Sequence, residues 1–228
     1  MTWIKICGTT TLHDAQVSIA AGADALGFIF APSPRRVEMT TAAEIVAQVP
    51  SSCMTIGVFV NEDPKLVAAI AEQVGLSGVQ LHGTEEISQL LELRRLLGSR
   101  TIVKGFSLSG DPTSAIDEFL HKPRSYDAIL LDSGSSQQRG GTGQTFDWDH
   151  TRSLAAKIRS TTRLIVAGGL HSGNVGQALD CFDPWGVDVV SGVERGPGIK
   201  DESRLRAFVA AVRERSSARP TEQPQEKW

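Results

Sequence analysis

Short apolar runs alternate along this chain with stretches of helical spacing, and glycine or proline separates most of them. Trp3-Ile4-Lys5-Ile6-Cys7 alternates and stops at Gly8, which reads as a strand. Thr11 to Ala21 has helical spacing and is closed by Gly22. The same alternation repeats down the chain. Strands are expected at Asp24–Phe30, Met54–Val60, Gly78–Leu81, Arg100–Phe106, Tyr126–Leu131, Leu164–Ala167 and Val187–Val190. Helices are expected from a cap at Thr40 or Thr41 to Val49, at Pro64–Val74, after a cap at Thr84, at Pro112–Leu120, Trp148–Ile158 and Ser172–Cys181. A last helix follows Asp201, with Leu205, Phe208, Val209 and Val212 at i, i+3, i+4 and i+7.

Regular strand–helix alternation implies a parallel sheet. Eight such units imply an α/β fold of the closed (β/α)8 barrel type. An open doubly wound sheet is the alternative, but no GxGxxG follows the first strand as its dinucleotide site would require. The expectation is one barrel domain over residues 1–215, followed by a polar, disordered tail over 216–228. The length of 228 residues suits that single domain. A net charge of −3 gives no reason to expect nucleic acid as a partner. No secretory segment and no membrane-spanning run is visible, so a cytoplasmic protein is expected. Three dispersed cysteines, with no CxxC or Cys/His cluster, argue against a disulfide framework or a zinc site.

Active sites of such barrels lie at the C-terminal ends of the strands. Side chains alternate along a strand. With Ile4 and Ile6 facing the helices, Trp3, Lys5 and Cys7 face the barrel interior. With Ile129 and Leu131 facing out, Leu130 and Asp132 face in. Strands 1 and 6 are three places apart in a ring of eight, so Cys7 and Asp132 oppose each other across the mouth. A thiol and a carboxyl so placed can flank a substrate as base and acid. Each also has a plainer reading: Cys7 as a small buried apolar residue, Asp132 as a cap for the following loop. Asp188 lies inside the eighth strand, beside the first once the barrel closes; a buried Lys5–Asp188 pair is expected, with a direct catalytic role for either residue as the alternative, and Asp188 is also a candidate substrate-binding residue. Cys53 and Cys181 read as packing residues.

Arg35 and Arg36 stand in a proline-stiffened loop, suited to a two-point grip on a carboxylate or simply solvated. Gln80 and His82 end the fourth strand, where His82 is either a site residue or a satisfied polar residue at the rim. The most specific signal is a pair of glycine loops. Gly168-Gly169-Leu170 follows strand 7, and Ser191-Gly192-Val193 follows strand 8. Loops in those two places commonly bind phosphate through backbone N–H groups. The loop from Gly134 to about Thr145, with Gly141 and Gly143, reads as a flap over the site or as a plain connection.

Taken in order, these residues resemble one family. The stretches that carry the resemblance begin with Lys5-Ile6-Cys7-Gly8, Gly27-Phe28-Ile29-Phe30, Ser33-Pro34-Arg35 and Gly57-Val58-Phe59-Val60-Asn61. They continue with Gln80-Leu81-His82-Gly83, Leu131-Asp132-Ser133, Gly140-Gly141-Thr142-Gly143, Phe146-Asp147-Trp148 and Ala167-Gly168-Gly169-Leu170. Asn174-Val175, Gly186-Val187-Asp188, Ser191-Gly192-Val193-Glu194 and Pro197-Gly198-Ile199-Lys200-Asp201 complete the set. The chain is thereby similar to phosphoribosylanthranilate isomerases over nearly its whole length. Val190-Ser191 departs from the two serines the family often has, and the tail lies outside the pattern.

The resemblance implies an Amadori rearrangement of N-(5-phosphoribosyl)anthranilate in tryptophan biosynthesis. It implies Cys7 as general base and Asp132 as general acid. It places Arg35, with Arg36 as the neighbouring alternative, at the anthranilate end, and both glycine loops on the phosphate. Neither cofactor nor metal is called for, because the rearrangement is redox-neutral overall. The implied partner is the small phosphosugar–anthranilate substrate, bound by a monomer or a homodimer. Two rivals stay in view. A dual-specificity isomerase would also act on the histidine-pathway aminoaldose, although the isomerase of that pathway carries aspartate where Cys7 stands. A non-catalytic phosphosugar-binding barrel would keep the loops without needing both Cys7 and Asp132.

Overall fold

The computed structural model describes residues 1–108, 111–133 and 148–217. Eight parallel strands close into a barrel in the order β1-β2-β3-β4-β5-β6-β7-β8. They are β1 Trp3–Cys7, β2 Ala25–Ile29, β3 Met54–Phe59, β4 Gly78–Leu81, β5 Thr101–Ser107, β6 Ala128–Asp132, β7 Arg163–Ala167 and β8 Gly186–Val189. Between and after them run α1 Leu12–Ala21, α2 Met39–Val46, α3 Pro64–Val74, α4 Ile87–Leu97, α5 Thr113–Leu120, α6 Trp148–Arg159, α7 Val175–Phe182 and α8 Glu202–Ser217. The expected (β/α)8 barrel is the fold observed. Closure falls between β8 and β1, where Trp3 pairs with Gly186 and Lys5 with Asp188.

Strand alternation divides the core into two compartments. Ile4, Ile6, Ile129 and Leu131 pack outward against the helices. Trp3, Ala25, Ile56, Val103, Ala128, Leu130, Ile165 and Ala167 fill the interior. Trp3 plugs the N-terminal end, stacked on Trp185 with centroids 5.0 Å apart. Gly186 leaves room for it, since a Cβ there would lie 2.8 Å from the Trp3 ring. With bulky side chains closing the lower half, the upper half is left for polar groups.

Several helices start elsewhere than the sequence suggests. Helix α2 begins at Met39 after Glu38, not at a Thr40 or Thr41 cap. Helix α4 begins at Ile87 under a capping box between Glu86 and Gln89. Thr84 instead donates to Asn61 Oδ1, so tertiary bonding draws it away from the helix. Helix α7 begins at Val175, because Ser172 to Asn174 form a turn tied by Asn174 Oδ1 to the N–H of His171. Asp201 does cap α8, accepting from the N–H of Arg204, and α8 continues to Ser217. A feature without a sequence expectation is a short hairpin after β8, β9 Glu194–Gly196 with β10 Ile199–Lys200. It follows a 3-10 turn over Ser191–Val193.

Candidate active site

Residue Cys7 is the last of β1, facing the interior and almost fully buried. Its sulfur lies over Gly27 of β2, where a Cβ would be 2.5 Å from Sγ. Burial pushes the thiol above its ordinary value. The ammonium groups of Lys5 and Lys200 oppose that rise, while the Asp188 carboxylate adds to it. Lys5 and Asp188 form the expected buried pair, with Nζ 3.1 Å from Oδ1. Burial raises Asp188; Lys5 lowers it, Asp132 raises it and His82 lowers it. Cys7, Lys5, Asp188, Asp132 and His82 thus belong to one electrostatic cluster at the upper end of the barrel.

Asp132 ends β6 and is partly exposed. His82, just beyond β4, presents Nε2 3.4 Å from Asp132 Oδ2. Gln80, buried inside the barrel, has its amide nitrogen 2.9 Å from His82 Nδ1. Below them Lys104 donates to Glu85 Oε2 at 2.8 Å and to the Gly83 carbonyl at 2.7 Å. Glu85 in turn accepts from the N–H groups of Asn61 and Gly83. This buried knot ties the loops after β3 and β4 to β5 and fixes where His82 stands.

The two arginines lie in different surroundings. Arg35 donates from Nε to both Glu194 oxygens at 2.9 Å and from Nη2 to Oε2 at 2.7 Å. Its aliphatic stem lies over Gly8, where a Cβ would be 2.8 Å from Cδ. Arg35 is therefore adjacent to Cys7. Arg36 turns away: its half-exposed guanidinium is 4.0 Å from Glu38, at the start of α2. Arg36 forms an isolated β-bridge with Ile29, and side chains alternate in extended chain, so the two adjacent arginines point to opposite sides.

The two glycine loops meet. Gly168 and Gly169 take φ of +91° and +61°, a region L side chains rarely adopt. Gly192 lies so close to the Leu170 carbonyl that a Cβ would be 1.9 Å from its oxygen. Asn174 braces the first loop by donating to the Gly169 carbonyl at 3.0 Å. Val193 is buried under the 3-10 turn that carries Ser191 and Gly192. Gly141 and Gly143 lie outside the described residues.

Four contributors escaped the sequence reading. Lys200 on β10 donates to the Cys7 carbonyl at 2.5 Å and to Glu194 Oε1 at 3.2 Å. Glu194 holds Lys200 and Arg35 together. Gly27 and Gly8 supply the space for the thiol and for Arg35. The signal available was two charged residues, Glu194 and Lys200, flanking the Pro197-Gly198 turn. Of the other cysteines, Cys53 is buried as expected, while Cys181 is only partly covered and accepts from Arg152.

A barrel with an acid, a thiol, an anchored arginine and paired glycine loops at the C-terminal strand ends defines a class: acid–base (β/α)8 enzymes acting on small phosphorylated substrates. Comparison with known proteins narrows the class. The family model for N-(5'-phosphoribosyl)anthranilate (PRA) isomerase matches residues 4–211, and the chain belongs to that family. A curated isomerase from Desulforudis audaxviator is 39% identical, covering 94% of this chain and 99% of its own length. One from Geobacter sulfurreducens is 42% identical over 92% of this chain and 97% of its own. A crystal structure of the Thermotoga maritima isomerase superposes with a TM-score of 0.80 at 36% identity, covering 94% of this chain and all of that one. A phosphoribosyl anthranilate isomerase solved with reduced 1-(o-carboxyphenylamino)-1-deoxyribulose 5-phosphate gives 0.78 at 34% identity, covering 94% of this chain and 100% of its own. No helix among the described residues is long and apolar enough to cross a membrane.

Proposed function

We propose that this chain performs the isomerase reaction of tryptophan biosynthesis with Cys7 as general base and Asp132 as general acid. The observation that supports the assignment is their placement at the C-terminal ends of β1 and β6 of one barrel, Cys7 beside the Arg35 stem over Gly8 and Asp132 Oδ1 beside Gly168 of the first of two meeting glycine loops. Asp132 gives its proton to the furanose ring oxygen of N-(5-phosphoribosyl)anthranilate. The C1–O bond breaks as the anthranilate nitrogen lone pair forms a C=N bond. The Cys7 thiolate then removes the proton at C2, and the released electron pair forms the C1=C2 enamine and neutralises the nitrogen. Tautomerisation gives 1-(2-carboxyphenylamino)-1-deoxyribulose 5-phosphate. One proton leaves Asp132 and one arrives at Cys7, so the balance closes without an electron acceptor.

Recognition divides between the two ends of the substrate. The backbone of Gly168 to Leu170 and of Ser191 to Val193 holds the phosphate, whose remote binding energy orients the sugar. Arg35, braced by Glu194, offers its remaining N–H donors to the anthranilate carboxylate. Asp188 serves through Lys5 by setting the charge around Cys7. One barrel domain carries all of these groups.

The test is the decay of anthranilate fluorescence from freshly prepared phosphoribosylanthranilate. Rapid decay with the wild type, and loss of about 100-fold or more with Cys7→Ala and with Asp132→Asn, is the expected result. Normal turnover in either folded variant removes that residue from its role. No turnover by folded wild type removes the reading itself.

A further inference from the structure

The structure assigns Gln80 and His82 a role in the proposed reaction: they are positioning residues that select which oxygen of Asp132 carries the transferable proton. The argument rests on the acid–base reading above and starts from hydrogen-bond polarity. A neutral imidazole has one N–H and one lone pair, and a donor facing one nitrogen places the proton on the other. The Gln80 amide nitrogen, a donor only, faces His82 Nδ1 at 2.9 Å. Nδ1 is therefore the acceptor and Nε2 bears the hydrogen. Nε2 lies 3.4 Å from Asp132 Oδ2. That is longer than a formed hydrogen bond, as catalytic contacts often are before substrate binds, and a shift of a few tenths of an ångström would complete it.

The consequence falls on the carboxyl group. An oxygen that accepts from Nε2–H acts as the carbonyl oxygen of the protonated acid. The acidic hydrogen is then on the other oxygen, Oδ1. Oδ1 lies toward Gly168, where an added Cβ would be 2.6 Å away. Gly168 opens the first phosphate loop, so the acidic hydrogen is directed to the side where a sugar held by its phosphate would lie. After transfer, the same Nε2–H stabilises the carboxylate left behind.

Two features show that the arrangement is built. The imidazole lies over Gly105 of β5, where any side chain would collide with it: a Cβ there would be 2.7 Å from Nδ1. Gln80 is buried, and its Oε1 has no hydrogen-bond partner among the described residues. A buried amide oxygen left without a partner is costly. A packing role would be met by leucine at lower cost. What the amide supplies here is its N–H group on Nδ1.

The test has two parts. In protein labelled with nitrogen-15 at histidine, the His82 signals, assigned by their loss in His82→Leu, are expected to show a protonated Nε2 and an unprotonated Nδ1. Gln80→Leu is expected to erode that preference and to lower kcat with KM little changed. His82→Leu should lower kcat about 10- to 100-fold, the worth of one hydrogen bond to a charged group. His82→Gln, which keeps a side-chain N–H, should recover part of the loss. A proton on Nδ1 in the wild type, or His82→Leu turning over like wild type, overturns the inference. Because the tautomer is read without substrate, its failure is distinct from failure of the isomerase reading, which wild-type turnover alone decides.

Discussion

The Lys200 ammonium donates to the backbone carbonyl of Cys7 at 2.5 Å, joining two residues 193 apart in sequence. Lys200 also donates to Glu194, Glu194 is gripped by Arg35, and Arg35 lies over Gly8 beside Cys7. The contacts form a closed circuit. It fastens the hairpin after β8 onto the end of β1 and keeps two cations near the thiol. Burial pulls Lys200 below its usual value, while Glu194 and Cys7 pull it back.

Glu194→Gln opens that circuit. Its carboxylate is the shared counter-charge of Arg35 and Lys200, so the variant leaves both cations short of an anion. Stability should fall by about 3–5 kcal/mol, as when one partner of a buried pair is removed. If Arg35 grips the substrate carboxylate as proposed, the freed side chain no longer meets it in a fixed orientation. KM should therefore rise about tenfold or more, with a smaller change in kcat. Urea unfolding and steady-state kinetics read the two effects separately. An unchanged KM would show that Arg35 needs no brace.

Gly27→Ala addresses the proposed base, Cys7, through space alone. The new methyl would meet the Cys7 sulfur at 2.5 Å and its Cα at 3.0 Å, so either the thiol or the strand must move. Overpacking of this kind costs about 1–3 kcal/mol. The displaced thiol should cost about 100-fold in kcat. Gly176→Ala is the control. It lies within α7 with nothing near its Cβ position, so it should leave turnover unchanged and stabilise by about 0.5–1 kcal/mol.

Stability should fall on both sides of neutrality for different reasons. For Glu194 and Glu85, burial raises the carboxyl, but hydrogen-bonded cations and backbone donors outweigh it and both are lowered overall. A lowered carboxyl contributes stability above its unfolded value near 4.5, which is lost as pH falls through the folded value. Cys53 is pushed by burial from 9.0 up to about 12. A raised thiol contributes stability fully below 9.0, which is lost as pH rises toward about 12. Urea midpoints measured from neutral to alkaline pH should decline, and Cys53→Ala should flatten that decline. An equal alkaline slope in the variant would remove Cys53 as its source.

The barrel was legible because its evidence is periodic. Ile4 and Ile6 against Trp3, Lys5 and Cys7 gave the facing of β1, and through it the Lys5–Asp188 pair. Helix starts were less legible, because a cap is chosen by competition. Thr84 looked like a cap until Asn61, 23 residues earlier, supplied a better partner. Lys200 and Glu194 stayed hidden for a similar reason. A charged residue past the last strand reads as solvated unless the fold buries it, and here a hairpin does. Arg35 and Arg36 are identical in kind, and only the path of the backbone separates them.

Lys5 and Asp188 allow a prediction in which two variants move one property in opposite directions. Burial holds the Cys7 thiol high; Lys5 lowers it and Asp188 raises it. Replacing Lys5 by Met removes the lowering charge, so the thiol should ionise at higher pH. Replacing Asp188 by Asn removes the raising charge and leaves the Lys5 ammonium unneutralised, so the thiol should ionise at lower pH. Thiolate ultraviolet absorbance, followed through pH in a background with Cys53 and Cys181 replaced by Ala, reports Cys7 once the rise from Tyr126, which burial pushes up to about 12, is subtracted with the matching Cys7→Ala protein. Both variants should also be destabilised by about 3–5 kcal/mol, since each strands one member of a buried pair. The double variant should cost less than the sum, because it leaves no uncompensated charge. A purely structural pair would reproduce the stability pattern while leaving the Cys7 titration where it was. Shifts of opposite sign would show that the pair at the barrel's closure seam also sets how readily Cys7 ionises.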